Sequence, residues 1–95
     1  MTQPHLWGNS PIEVEVRYRI KAAIAAYAYE IADAPIMTDH EFDRLVQSIH
    51  PEMGTCHPLI DDFFAGKFSP MTGMWIHEHP QLARIAQIFE THYRR

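Results

Sequence analysis

Apolar residues recur at three- and four-residue steps from Ile12 through Val16, Ile20, Ile24 or Ala23, and Tyr27 to Ile31, with no glycine or proline between them. That period marks one face of an α-helix, so a helix is expected over residues 11–32. Ser10-Pro11-Ile12-Glu13 supplies its start: serine caps, proline takes the first helical position, and Glu13 reaches back to the cap amide. Asp33-Ala34-Pro35 supplies its stop, because the residue before a proline is pushed out of the α region and proline brings no N–H. Thr38 and Glu41 then form a second capping box, and Phe42, Leu45, Val46 and Ile49 share one face of a second helix over residues 39–48. A connection of only about six residues predicts that the two helices pair antiparallel.

The C-terminal half is patterned less regularly. Pro58 opens a short helix that stops at Gly66, with Leu59, Ile60, Phe63 and Phe64 as its buried side. Residues 67–79, with Pro70, Gly73 and the apolar run Met74-Trp75-Ile76, read as an irregular segment, either a strand-like pass or a half-turn plugging the core. Pro80 starts a last helix to about residue 93, carrying Leu82, Ile85, Ala86, Ile88 or Phe89, and His92 on one side. Residues 1–9 read as an irregular arm anchored by Leu6 and Trp7. The fold expected is all-α: one domain over residues 1–95, a small bundle of three to four helices built on an antiparallel helical hairpin.

Composition narrows the function classes. With 12 acidic against 8 basic residues the formal net charge is −4, which argues against a binder that neutralises nucleic-acid phosphates. The cations do not cluster either: Arg17, Arg19 and Lys21 alternate along the first helix, and Arg94-Arg95 is a tail. A lone cysteine, Cys56, rules out an internal disulfide and suits a reducing compartment. The opening residues show no cationic stretch followed by an apolar core, and no run approaches the ~18 apolar residues that span a bilayer. A cytoplasmic protein is expected.

The stretch from Tyr29 to Leu45 carries the most specific pattern. Tyr29, then Asp33-x-Pro35, then Thr38-Asp39-x-Glu41-Phe42-Asp43-x-Leu45 resembles the small N-terminal helical domain, domain Ia, of NAD-dependent bacterial DNA ligases. The resemblance implies a helical hairpin that holds the nicotinamide mononucleotide end of NAD, with Tyr29, Glu30, Asp39, Phe42 and Asp43 as the binding residues. Glu30 stands where the ligases carry tyrosine or histidine, and Phe42 where they carry tyrosine. Phe42 gives up a hydroxyl, and Glu30 adds a negative charge that favours a nicotinamide ring and repels a phosphate. The five alanines Ala22, Ala23, Ala25, Ala26 and Ala28 make the first helix slim beside this stretch, open to another helix or a flat ligand. Alanine is also simply the best helix former. Tyr29 and Phe42 equally suit packing on each other, and Asp39 suits the helix dipole.

Catalytic machinery is not found. The ligase nucleophile requires K-x-D-G, and neither Lys21 nor Lys67 is followed by it. Nor is there a glycine-rich phosphate loop, a nucleophile elbow or H-E-x-x-H. Cys56, His57, His77 and His79 could offer four zinc ligands, but their spacing is not that of a zinc site, and no metal or catalytic residue is assigned. Phe63, Phe64, Phe68, Met71, Met74 and Trp75 are many apolar residues for so small a core. They either leave a partner surface or bury the irregular segment, and the pattern does not separate the two. The expected function is therefore a small non-catalytic binding protein on a ligase-Ia-like scaffold, acting through a protein partner. An accessory or inhibitory factor of a phage or other mobile element fits that description. The alternative is a module or sensor that binds nicotinamide mononucleotide or NAD.

Overall fold

A computed structural model describes residues 10–94, and the arm expected over residues 1–9 lies outside them. The elements follow in the order α1 (Pro11–Glu30), α2 (Asp39–Gln47), α3 (Pro58–Gly66), a 3-10 helix (Met74–Glu78) and α4 (Leu82–His92). Among the described residues there is no strand, and the fold is the small all-helical bundle that the pattern predicts. Among the described residues no helix is long and apolar enough to cross a membrane.

Both capping boxes form. Ser10 accepts from the Glu13 amide while Glu13 reaches back to Ser10, and Thr38 and Glu41 do the same at the start of α2. The stop after α1 also holds. Ala32 donates to the Tyr27 carbonyl, Ala34 donates to the Ala28 carbonyl, and Asp33 takes a left-handed conformation at φ 54°. Aspartate tolerates that region better than most residues, and so the chain can reverse here without a glycine.

The buried face of α1 is not the one its β-branched residues suggest. Ile12, Ile20 and Ile31 are exposed, while Glu15, Arg19 and the unbroken run Ala22 to Ala26 are buried. Five consecutive buried residues exceed one helical turn, so this part of α1 is enclosed on every side. It is ringed by α2, α4 and the 3-10 helix, each of which packs against it. Alanine allows that close approach, and Ile24 is buried within the same run, whereas Ile12, Ile20 and Ile31 turn outward.

The helix α3 is held differently. None of its Cα atoms lies within 8 Å of a Cα atom in another helix, and the gap is filled by Phe63 and Phe64. These rings meet Trp75, whose centroid is 6.2 Å from Phe63 and 5.7 Å from Phe64, and Phe68 closes the cluster 5.2 Å from Trp75. Leu59, expected inside, is exposed. The irregular segment plugs the core as a 3-10 helix that turns Trp75 and Ile76 inward. It cannot continue, because Pro80 confines His79 to extended backbone at φ −63°, ψ 130°. The imidazole Nδ1 of His79 then accepts from the Gln81 amide at 3.0 Å, and α4 begins at Leu82 rather than at Pro80. Ile85 and Phe89 bury its inner face, whereas His92 is exposed.

Candidate functional site

Two places along α1 concentrate polar chemistry. The first is a buried ionic hub. Arg19, only 3% exposed, donates Nε to Glu15 at 2.7 Å and Nη1 to Asp61 of α3 at 2.8 Å. Its Nη2 reaches the carbonyls of His50 and Met53 at 2.9 and 3.0 Å. The guanidinium also lies 4.9 Å from the centre of the Phe64 ring, within cation–π range. Glu15 in turn accepts from the His50 amide, and Asp61 accepts from both the amide and the hydroxyl of Thr55. Those Thr55 hydrogen bonds, with Arg19 beside them, hold the Asp61 carboxyl below the usual carboxylate range. The hub ties α1 to the 48–57 connection and to α3. Its polar groups face one another, so its role is structural. In the sequence Arg19 is only one of three cations that alternate along the first helix. The i,i+4 step from Glu15 to Arg19 was the only local sign of the hub, and it resembles any surface helix pair.

The second place is a cavity of about 280 Å³ at the C-terminal end of α1. Tyr29, Glu30, Asp39, Phe42 and Asp43 all line it, so the five residues singled out from the sequence converge on one concavity. Its floor is made by Ala25, Ala26 and Gly73, and its walls include Pro35, Ile36, Met37, Thr38 and Thr72. The backbone positions follow from the elements already described: α1 offers its slim face, the Asp33 reversal swings Pro35 to Met37 over it, and the capping box aims α2 outward from Thr38. Gly73 belongs to the floor because a methyl there would already lie 3.4 Å from the Phe42 ring and 3.5 Å from Ala26 Cβ. Sequence reading did not reach Thr72 and Gly73, since nothing local in the irregular segment says which neighbour it meets.

The two sites differ in how their carboxylates are used. Among the described residues no ion pair or hydrogen bond engages the side chains of Glu30, Asp39 or Asp43. Tyr29 is 57% exposed, and Phe42 is half-buried with its tip against the floor. This arrangement leaves negative charge and aromatic surface open at the mouth of the cavity.

The residues weighed for zinc do not gather. Among the described residues no three histidine, cysteine or acidic side chains are placed to hold a metal ion. Cys56 is exposed in a left-handed conformation at φ 69°, whereas His79 is buried, and that burial pushes its pKa down. The expected surplus of apolar residues is mostly absorbed as well. Phe63, Phe64 and Trp75 are buried and Phe68 is half-buried, which leaves Met71 and Met74 exposed.

No family model, curated protein or solved structure matches this chain.

Proposed function

We propose that this protein is a non-catalytic binding module whose ligand enters the cavity between α1 and α2, and that the ligand carries a nicotinamide-type ring. One observation supports the reading above all: Tyr29, Glu30, Asp39, Phe42 and Asp43 line a single cavity, and its three carboxylates have no partner among the described residues. Carboxylates left unpaired beside exposed aromatic surface are available to an external ligand that carries positive charge. Its volume lies just under the ~300–1,000 Å³ typical of small-molecule sites, room for a ring with a sugar and not for a whole dinucleotide. Only the nicotinamide end of NAD would then be held.

Thermal unfolding with and without nicotinamide riboside, nicotinamide mononucleotide or NAD tests this. A ligand at a hundred times its dissociation constant adds ~2.7 kcal/mol to folding, and Asp43→Ala should remove the gain. An unchanged melting temperature with every nicotinamide compound would count against the reading.

A second reading is a protein partner docked across the same mouth. It is favoured by Met71, 88% exposed, and Met74, which flank the lining residues Thr72 and Gly73. Exposed methionines adapt to varied partner surfaces. Here a partner retained by the native protein should be lost on Met71→Asp, while ligand-induced stabilisation by nicotinamide compounds should be absent.

A further inference from the structure

The charges around the cavity say more than its shape, provided that it is a ligand site as proposed above. Among the described residues its ionisable lining consists of Tyr29, Glu30, Asp39 and Asp43, with no lysine, arginine or histidine. The cavity does border the N-terminus of α2, where free backbone amides would ordinarily attract an anion. Two of these amides are already engaged: Thr38 Oγ1 accepts from the Glu41 amide at 3.0 Å, and Glu41 Oε1 accepts from the Thr38 amide at 2.8 Å. The bonds from Thr38 hold the Glu41 carboxyl below its usual range, so a negative charge caps this helix start, just outside the cavity lining. The nearby cations Lys21 and Arg44 line a separate depression with Glu41 and Leu45, and it shares only Ile36 and Met37 with the cavity. Aromatic faces such as those of Tyr29 and Phe42 attract organic cations, the more so beside carboxylates.

We infer that the cavity takes a flat organic cation without a phosphate, such as a pyridinium nucleoside, and rejects its phosphate ester. A phosphate monoester brings roughly −1.5 to −2 charges to a site that already carries three carboxylates and has no cation to receive it. The site therefore favours the ring and its positive charge while opposing the part of a nucleotide on which most nucleotide sites rely.

Calorimetric titration at low salt with four probes tests this: nicotinamide riboside, nicotinamide mononucleotide, N-methylnicotinamidium and neutral nicotinamide. The first two differ by the phosphate and the last two by the ring charge. The riboside should bind at least about tenfold more tightly than the mononucleotide, and N-methylnicotinamidium more tightly than nicotinamide. Both preferences should narrow in Glu30→Gln, in Asp43→Asn on the other helix, and as salt is raised. Mononucleotide binding as tight as the riboside, or equal binding of the charged and neutral rings, overturns the inference and leaves the ligand site standing. Saturable binding by none of the four overturns both.

Discussion

At one end of the buried stripe of α1, the Glu15 carboxylate is shielded from solvent and shared between Arg19 and the His50 amide. About 22 Å along the same helix, Glu30 stands with Asp39 and Asp43 around an open cavity, and no group of the described chain answers any of them. The first site is closed: each charge has a counter-charge and further hydrogen bonds, as a buried ion pair requires if it is not to destabilise the fold. The second is left open toward solvent. The contrast separates polar groups that hold the bundle together from polar groups available for binding, although both are carboxylates on one helix.

The comparison breaks most visibly at Arg19. Arg19→Ala leaves Glu15 without its cation in the interior, and a loss of about 3–5 kcal/mol is expected in urea unfolding. A loss below ~1 kcal/mol would show that the hub does not carry the structural role assigned to it. At the other end, Ala26→Leu thrusts a larger side chain from the cavity floor toward Gly73 and Phe42. Overpacking of this kind costs about 1–3 kcal/mol and should also abolish ligand-induced stabilisation.

Acid sharpens the distinction. The folded pKa of Asp61 is depressed, so its contribution is complete above the ordinary aspartate value and is lost as pH falls below it. His79 is also depressed, by burial, so the unfolded chain protonates first and stability declines as pH drops below the ordinary histidine value of 6.5. Melting curves across pH should therefore show two losses on acidification. His79→Gln should flatten the first and Asp61→Asn the second. The smallest effects belong to the cavity carboxylates. Glu30→Gln and Asp43→Asn should change stability by no more than about 0.5 kcal/mol, measured by urea unfolding, even where they alter binding. A larger loss would mean that these residues brace the fold after all.

Much of this architecture could be read before any coordinates. Ser10 to Glu13 and Thr38 to Glu41 cap helices through bonds that span three residues, so their effect is local and survives any packing. The same is true of the stop at Asp33-Ala34-Pro35, and the apolar pattern of the second helix also marked residues that packing buries, Val46 within α2 and Ile49 just beyond its end. The resemblance of the 29–45 stretch marked the cavity residues, and Tyr29, Asp39, Phe42 and Asp43 gather because they lie in one hairpin that follows from those caps and that stop.

What depended on partners distant in the chain could not be read this way. Which residues of α1 are buried depends on how closely other helices approach, and that is settled by the ring of α2, α4 and the 3-10 helix around Ala22 to Ala26, which encloses Ile24 but leaves Ile12 and Ile20 outside. Arg19 becomes a hub only because Asp61, 42 positions later, arrives beside it, and Gly73 becomes part of the cavity only because the 3-10 helix docks on α1. The sequence by itself determined where the helices begin and end and which residues gather at their first turn, since those choices rest on bonds a few residues long. Only the tertiary structure decided which charges were enclosed and which were left facing a cavity, because desolvation and pairing depend on neighbours that folding alone brings together.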